Sequence, residues 1–249
     1  MKKALLTLAL LVILGATALV LADIAFQKTT VVRHSFKEPI RTIVVRADSG
    51  DVELVPAPGR AVRVRETRHH TFKTPTFTGD VVDGVLTIQT GCDAAFITCQ
   101  ADLRLTVPTG VAVDAKSEAG DVYTRGIDVR RARLESDSGD VRAELLGPQR
   151  LVRARSDSGD VDVRSRDARV VDAQTNSGDV VVAANGTPRR IVAITDSGDV
   201  RVVVPAGEYR VDAQSDSGDV KLRRISRNDR AARSIEAHTD SGDVRLDGG

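Results

Sequence analysis

Pairs of aspartates recur along this chain in a short motif, DSGDV, and they are the side chains with the clearest potential for chemistry. With the near-copies EAGDV and NSGDV, the motif places its glycine at Gly50, Gly120, Gly139, Gly159, Gly178, Gly198, Gly218 and Gly242. Repeated carboxylates could bind calcium, which prefers several oxygen ligands around one ion. The candidate ligands are the second aspartates of five copies: Asp140, Asp160, Asp179, Asp199 and Asp219.

The same residue types also have a purely structural explanation. Glycine adopts positive φ easily, the first aspartate can accept a hydrogen bond from the turn backbone, and the second leads into the next strand. Known calcium-binding nonapeptide repeats follow a shorter and more glycine-rich pattern. We therefore favour structural turns and no cofactor, and keep calcium as the weaker alternative.

A motif that occurs many times argues against a single catalytic centre. No Ser-His-Asp order, Gly-rich phosphate loop, His-rich metal motif or unique carboxylate pair stands out in the sequence. We predict that the protein is not an enzyme and has no small-molecule substrate.

The spacing of the motif indicates how the chain folds. From Gly120 to Gly218 the steps are 19, 20, 19, 20 and 20 residues, a regularity typical of stacked repeats. Apolar and polar residues alternate around each turn, as in strands with one buried face. These patterns predict an all-β parallel β-solenoid with two strands in each unit of about 20 residues. An antiparallel β-sandwich is the alternative, but it does not explain why every second turn is identical.

The period also predicts the organisation of the chain. Residues 103–249 form the regular SGDV-repeat solenoid, and residues 39–102 form irregular N-terminal β units that cap one end. Residues 26–38 are predicted to be a linker. The last step lengthens to 24 residues, and the charged final strands are predicted to end the stack and discourage pairing at its edge.

The N-terminus resembles an export or membrane segment. Lys2 and Lys3 precede an uncharged, mainly apolar run over residues 4–22, within a predicted helical segment of residues 1–25. Two outcomes stay open: the run anchors the protein in the cell membrane, or it is a signal peptide that is cleaved and the protein is secreted. Either outcome places the rest of the chain outside the cytoplasm.

Cysteine usage and charge fit an exported protein. Cys92 and Cys99 are the two cysteines, and under oxidising conditions we predict a local disulfide between them. His69 and His70 adjoin in a strand-like segment, so they should face opposite sides and not chelate one metal. The chain has 36 basic and 35 acidic residues, which gives no reason to expect nucleic acid as a partner.

Several of these segments together resemble a known family. The export segment, VVDGVLTI at residues 81–88, the cysteine loop, LRLTVPTGVAV at residues 103–113 and the SGDV array are similar to the bacterial “putative adhesin” family of β-strand-repeat envelope proteins, whose function is unknown. The resemblance implies a β-solenoid domain of the cell envelope and offers no catalytic residues.

The resulting prediction is a non-enzymatic extracytoplasmic module that binds an unknown protein or cell-wall ligand, or has a structural role. The alternative is a sensor or scaffold ectodomain that regulates a membrane partner in the envelope stress response through the irregular N-terminal units.

Overall fold

The protein is a stack of strands in two sheets. The computed structural model describes residues 27–92 and 98–249, and every regular element within these residues is a β-strand. No helix in this part of the chain has the length and apolar character needed to cross a membrane. The predicted N-terminal segment of residues 1–25 lies outside the described residues.

Within the described residues, each sheet contains eleven strands. In spatial order, sheet 1 consists of β1 (Lys28–Phe36), β4 (Val62–His70), β7 (Cys99–Val107), β3 (Val52–Pro56), β9 (Val122–Asp128), β11 (Val141–Gln149), β13 (Val161–Ala168), β15 (Val180–Ala184), β17 (Val200–Val204), β22 (Val244–Gly248) and β19 (Val220–Arg223). In the same direction, sheet 2 consists of β5 (Thr76–Val82), β6 (Val85–Gly91), β2 (Thr42–Ser49), β8 (Ala112–Ala119), β10 (Arg131–Ser138), β12 (Leu151–Ser158), β14 (Val170–Ser177), β16 (Arg190–Ser197), β21 (Ser234–Ser241), β18 (Gly207–Ser217) and β20 (Ile225–Arg227).

The regular units have the predicted parallel solenoid arrangement. In each unit a strand of sheet 2 runs into the DSGD turn, and the chain continues as a strand of sheet 1. Equivalent strands of successive units are parallel and in register, so that Ser136 lies beside Ser156 and Val141 beside Val161. The antiparallel sandwich is therefore wrong for these units.

Period-2 alternation builds the core between the sheets. Val161 and Val163 are fully buried, whereas Asp162 and Arg164 lie on the outer face of sheet 1. Burying one such valine contributes about 1.5–3 kcal/mol relative to leaving it exposed. Ala154 of sheet 2 is also fully buried.

At both ends, the order of units in the stack differs from their order in the chain. The strands β2 and β3 pair directly with β8 and β9, so the turn of Gly50 stacks on that of Gly120. At the other end, β21 and β22 lie between β16–β17 and β18–β19, and the unit of Gly218 is outermost. The prediction that the final strands end the stack is wrong. Because the turns are nearly identical, each can stack on any other copy, whatever their separation in sequence.

The first end of the stack is closed by antiparallel strands. The strand β4 is antiparallel to both β1 and β7, and β5 is antiparallel to β6. The predicted linker of residues 26–38 is mostly β1, in which Val32, His34 and Phe36 are less exposed than their neighbours. The boundary predicted between residues 39–102 and 103–249 falls inside β7, so it does not divide the stack.

The predicted disulfide between Cys92 and Cys99 is confirmed, and the two Cα atoms lie 6.0 Å apart. It joins the end of β6 to the beginning of β7 and so crosses from one sheet to the other. In the chain-entropy account, closing such a short loop contributes about 2.5 kcal/mol.

The opposite end of the stack leaves part of its core exposed. Val220 of β19 is 38% exposed, although the equivalent Val141 and Val161 are fully buried. Leu222 and Val211 of the same unit are only partly buried. The two ends therefore differ: antiparallel strands cover one, and the unit of Gly218 forms the other.

Candidate functional site

The second aspartate of each turn belongs to a continuous hydrogen-bonded column, which we call the aspartate ladder. The amide of Asp160 donates to Asp140 Oδ1 at 2.9 Å, and the amide of Asp179 donates to Asp160 Oδ1 at 2.9 Å. In stack order the ladder consists of Asp102, Asp51, Asp121, Asp140, Asp160, Asp179, Asp199, Asp243 and Asp219. Each carboxylate except that of Asp219, the last in the ladder, thus helps to fix the backbone of the next unit.

The first aspartates have more varied partners than the sequence suggested. The carboxylate of Asp48 accepts a hydrogen bond from the amide of Cys92 at 3.2 Å, and that of Asp137 pairs with Lys116 Nζ at 2.9 Å. The regular backbone-binding role belongs to the second aspartate, because its side chain lies beside the amide of the next unit.

The ladder also contains the five aspartates predicted as weak calcium candidates. Asp140, Asp160, Asp179 and Asp199 each use Oδ1 to accept a neighbouring amide, and Asp219 pairs with Lys221 Nζ at 2.8 Å. Across residues 27–92 and 98–249, no group of three or more His, Cys, Asp or Glu side chains is placed to hold a metal ion. Calcium binding stays a prediction for experiment.

A second column, formed by hydroxyl groups, was not predicted. Ser156 Oγ donates to the carbonyl of Gly139 at 2.7 Å, and Thr175 Oγ1 donates to the carbonyl of Gly159 at 2.8 Å. The same bond is made by Ser117, Ser136, Thr195, Thr239 and Ser215. The signal is present in the sequence: the position before the first acidic or amide residue is Ser or Thr in every copy except the first, where it is Ala47.

Close stacking explains why the turns use glycine. A Cβ atom on Gly159 would lie 2.6 Å from the carbonyl carbon of Gly139, a backbone atom that cannot move aside. At Gly139 the backbone also has φ of 154°, in the range that favours glycine. The distance between units therefore requires glycine in the repeat turns, and at six of the eight turns, but not at Gly159 or Gly218, the backbone conformation favours it as well.

The outer face of sheet 1 contains a groove of about 610 Å³ where the regular repeat is interrupted. The pairing of β11 shifts register relative to β9 between Ala143 and Leu145, and relative to β13 between Leu145 and Pro148. Gly126 provides the positive φ of 63° that accompanies the irregularity in β9. The residues lining this groove include Tyr123, Arg125, Arg142, Glu144, Asp162 and Arg164.

The charged groups of the groove are paired with one another. Arg164 contacts Asp162 at 2.8 Å, and Arg142 contacts Asp140 at 2.5 Å. At the end nearer the antiparallel strands, the mostly buried Glu53 accepts a hydrogen bond from Arg104 at 2.6 Å and forms an ion pair with Arg125 at 2.8 Å. Alternating charges of this kind suit a polar ligand with both donors and acceptors.

Tyr123 is the aromatic residue of the groove. Its ring lies under the guanidinium of Arg125, with 5.4 Å between the carbon CZ and the ring centroid. Burial raises the pKa of the Tyr123 hydroxyl, and the negative charges of Glu53 and Asp51 raise it further. The hydroxyl therefore stays protonated at neutral pH and can donate a hydrogen bond to a ligand.

Asp51 forms one wall of the groove and also belongs to the aspartate ladder. Burial raises the pKa of the Asp51 carboxyl, and the charges of Asp102 and Asp121 add to this effect. The hydrogen bond from the amide of Asp121 acts in the opposite direction. The charge on Asp51 consequently has a free-energy cost in the folded protein.

The antiparallel end contains a buried ion cluster that sequence reasoning missed. Glu66 is fully buried, and its two carboxylate oxygens accept Arg68 Nε at 2.6 Å and Arg68 Nη2 at 2.9 Å. His34 Nε2 lies 3.1 Å from the same carboxylate, and the His34 ring stacks on Phe77 with centroids 3.8 Å apart. The cluster fastens β1 to β4 inside the cap.

His69 and His70 lie on opposite sides of β4, as expected from their adjacency. His69 Nε2 lies 3.3 Å from the carboxylate of Asp102 on the outer side, whereas Nδ1 of His70 is buried. The two rings do not approach one metal position.

The architecture and its ladders define an all-β protein of the solenoid-like repeat class, with a polar groove on one face. The chain belongs to the Toastrack DUF4097 family, whose pattern matches residues 23–247. This membership agrees with the resemblance inferred from the SGDV array and its flanking segments.

Solved structures provide the fold comparison. A “putative adhesin” from Parabacteroides distasonis is 13% identical, with a TM-score of 0.51 over 88% of this chain and 97% of that chain. A “putative adhesin” from Bacteroides fragilis is 12% identical, with a TM-score of 0.49 over 88% of this chain and 97% of that chain. At these identities the likeness concerns the fold alone. No curated protein matches the sequence.

Proposed function

We propose that this protein is a non-enzymatic, extracytoplasmic binding module of the bacterial cell envelope, and that the groove around Tyr123 is its ligand site. The observation that carries the proposal is the interruption of an otherwise regular outer face by a groove with an aromatic ring and paired charges. The hydrogen-bonded ladders beneath it hold the lining residues in place before binding. Preorganisation of this kind reduces the entropy lost when a ligand is bound.

The composition of the groove favours a polar ligand. Tyr123 offers one aromatic face and one hydroxyl donor, while Arg142 and Arg164 provide donors beside the acceptors of Glu144 and Asp162. A cell-wall polymer or an extended polar protein segment has matching donors and acceptors along its length. Mixed charges of both signs do not favour nucleic acid, whose phosphates require a continuous basic surface.

An extracytoplasmic location is supported by the N-terminal sequence and agrees with the description of the Parabacteroides distasonis structure as a “putative adhesin”. The apolar run of residues 4–22 would place the stack outside the cytoplasm, either anchored or released after cleavage. In the anchored form the stack would lie at the outer surface of the cell membrane.

Binding of the full chain to isolated bacterial cell walls tests the proposal. Replacement of Tyr123 by Ala or Arg142 by Ser should weaken binding at least fivefold, because each removes a group that lines the groove. The control is Arg133→Ser, which removes an arginine from the outer face of sheet 2 and should leave binding within twofold. Equal losses in the three variants, or no cell-wall binding by the wild type, would overturn the proposal.

The alternative function, a sensor or scaffold acting through the N-terminal units, requires a different test. Deleting residues 40–102 would remove β2 and β3, which lie inside the stack, and so would not separate the two functions. Substitutions on the outer face of the antiparallel strands leave the core intact. Loss of an envelope stress response in such variants, with cell-wall binding preserved, would favour the alternative.

A further inference from the structure

Four arginines lie together on the outer face of the antiparallel strands, outside the groove described above. We refer to Arg33, Arg63, Arg65 and Arg104 as the arginine cluster. Arg33 of β1 is directly opposite Arg65 of β4, which is directly opposite Arg104 of β7. Arg63 lies two residues before Arg65 on the same face and is directly opposite Ser35, and its backbone amide donates to Thr106 Oγ1 at 2.9 Å. These side chains line a hollow of about 430 Å³.

The surroundings of Arg65 differ from those of other arginines on sheet 1. Its four nearest outer-face positions hold Arg33 and Arg104 across the strands and Arg63 and Thr67 along its own strand. None of these four is acidic. By contrast, Arg245 on β22 has an aspartate two residues away on each side.

Among the described residues, three arginines of the cluster have no carboxylate within ion-pair distance, although Arg65 also lines a smaller hollow with Asp51, Glu53 and Asp102. Arg104 contacts Glu53 at 2.6 Å, but Glu53 also pairs with Arg125. In the part of the chain that the structure describes, Arg33, Arg63 and Arg65 form no ion pair with a carboxylate. Like charges directly opposite on neighbouring strands are destabilising, and a bound anion would remove that cost.

We propose that the arginine cluster binds a phosphate-bearing anion. The guanidinium group is planar and donates paired hydrogen bonds that match phosphate oxygens. Arginines on adjacent strands are separated by about 4.8 Å per strand, so two or three can share one tetrahedral anion. Ser35 lines the same hollow and carries a hydroxyl that can donate to an anion, whereas the Thr106 hydroxyl contacts the backbone of Arg63.

The phosphate could belong to a soluble ligand or to a lipid headgroup. The test uses the full chain in a nonionic detergent at low salt, with two probes measured by calorimetry. One probe is soluble tripolyphosphate, and the other is micelles containing phosphatidylglycerol, compared with micelles containing phosphatidylcholine. Binding of tripolyphosphate identifies a soluble phosphate ligand, whereas binding of phosphatidylglycerol micelles alone identifies a headgroup.

The decisive variant is the double substitution Arg63→Ser with Arg65→Ser. It should weaken binding of the effective probe at least tenfold. The matched control is Arg201→Ser with Arg245→Ser, which removes two arginines that are neighbours in the same outer row of sheet 1 but have aspartates nearby. The affinity of the control variant for the effective probe should stay within twofold of the wild-type affinity.

Stability measurements keep the test interpretable. Arg65→Ser alone removes like-charge repulsion, so the melting temperature of this variant should be no lower than that of the wild type. Because the variant lacks one arginine of the cluster, it should bind the effective probe several-fold more weakly. Equal weakening by the two double variants would show that net charge, and not the cluster, attracts the anion. That result, or failure of the wild type to bind either probe, would overturn the proposal.

Discussion

The aspartate ladder makes a quantitative prediction at Asp160, near the middle of the stack. Asp160 Oδ1 accepts the amide of Asp179 at 2.9 Å, and the amide of Asp160 donates to Asp140 at 2.9 Å. Asp160→Asn retains an oxygen that can accept the amide but removes the charge. Asp160→Ala removes both. Comparison of the two variants therefore separates hydrogen bonding from electrostatic repulsion between neighbouring carboxylates.

The expected free energies follow from the environment of the side chain. Asp160 is exposed, so each neighbouring carboxylate at strand spacing repels it by about 1 kcal/mol, the value for water. A hydrogen bond to a charged acceptor contributes about 1.5–3 kcal/mol, and one to a neutral amide oxygen about 1 kcal/mol. Asp160→Asn should then be stabilised by up to about 1 kcal/mol. The free energy of unfolding of Asp160→Ala should be about 1 kcal/mol lower than that of Asp160→Asn.

Urea unfolding followed by circular dichroism measures these differences, and repeating it in 1 M salt provides a control. Salt should reduce the advantage of Asp160→Asn, because it screens repulsion between exposed charges. Equal destabilisation by the two substitutions would refute the reasoning, since it would mean that the negative charge itself is needed. If the same loss disappeared after calcium was removed with a chelator, the ladder would be a calcium site.

Three further predictions concern other parts of the stack. Gly159→Ala should destabilise the protein by at least about 2 kcal/mol, because the added Cβ atom would collide with the backbone of the neighbouring unit. Gly59→Ala is the control and should have little effect, because Gly59 has open space around it. Chemical unfolding measures the free energy of unfolding of both variants. Glu66→Ala should cost about 3 kcal/mol, because it leaves the partly buried guanidinium of Arg68 without its fully buried partner. Glu236→Ala, which removes a half-exposed partner of Arg190, should cost less than about 1 kcal/mol, and a similar loss in both variants would contradict a special role for burial. Asp51→Asn should raise the melting temperature at pH 7, because burial raises the pKa of the Asp51 carboxyl and its ionisation therefore opposes folding. This gain should vanish as the pH falls below 3.8, the ordinary pKa of an aspartate, because the carboxyl is then protonated in both the folded and the unfolded protein. A gain in melting temperature that persists below that pH would exclude this cause.

The sequence predicted the repeating unit well because its signals are local. Glycine spacing and period-2 alternation are set within about 20 residues, and the structure retains both. The order of the units could not be predicted in the same way, since identical turns stack interchangeably. Nothing local indicates that the turn of Gly50 stacks on that of Gly120, or that the unit of Gly242 lies inside that of Gly218. The placement of those units depends on long-range pairing.

The candidate site could likewise be predicted only in part from the sequence. Tyr123 is one of two tyrosines in the sequence, but the groove beside it depends on shifts of register in β9 and β11, to which Gly126 contributes. A glycine within a strand pattern is a signal for such an irregularity, although it does not specify which side chains will line the result. β1 was missed because a strand at the edge of a sheet, with mostly exposed residues, lacks a strong apolar pattern.

The DSGDV motif and the candidate binding surfaces have complementary roles. Copies of the motif use the second carboxylate, the glycine and, in all copies but the first, the preceding hydroxyl to fix one unit against the next, so selection for stacking leaves little freedom at those positions. The outward positions of the strands carry no such requirement and can vary from unit to unit. Specific binding is therefore expected where the outer face departs from the repeat, at the groove of Tyr123 and at the arginine cluster. Replacing Tyr123, Arg142 or the arginines of the cluster should change what the protein binds while leaving the stack folded, because these side chains, unlike Asp51 in the groove wall, are not members of the ladders that hold the units together.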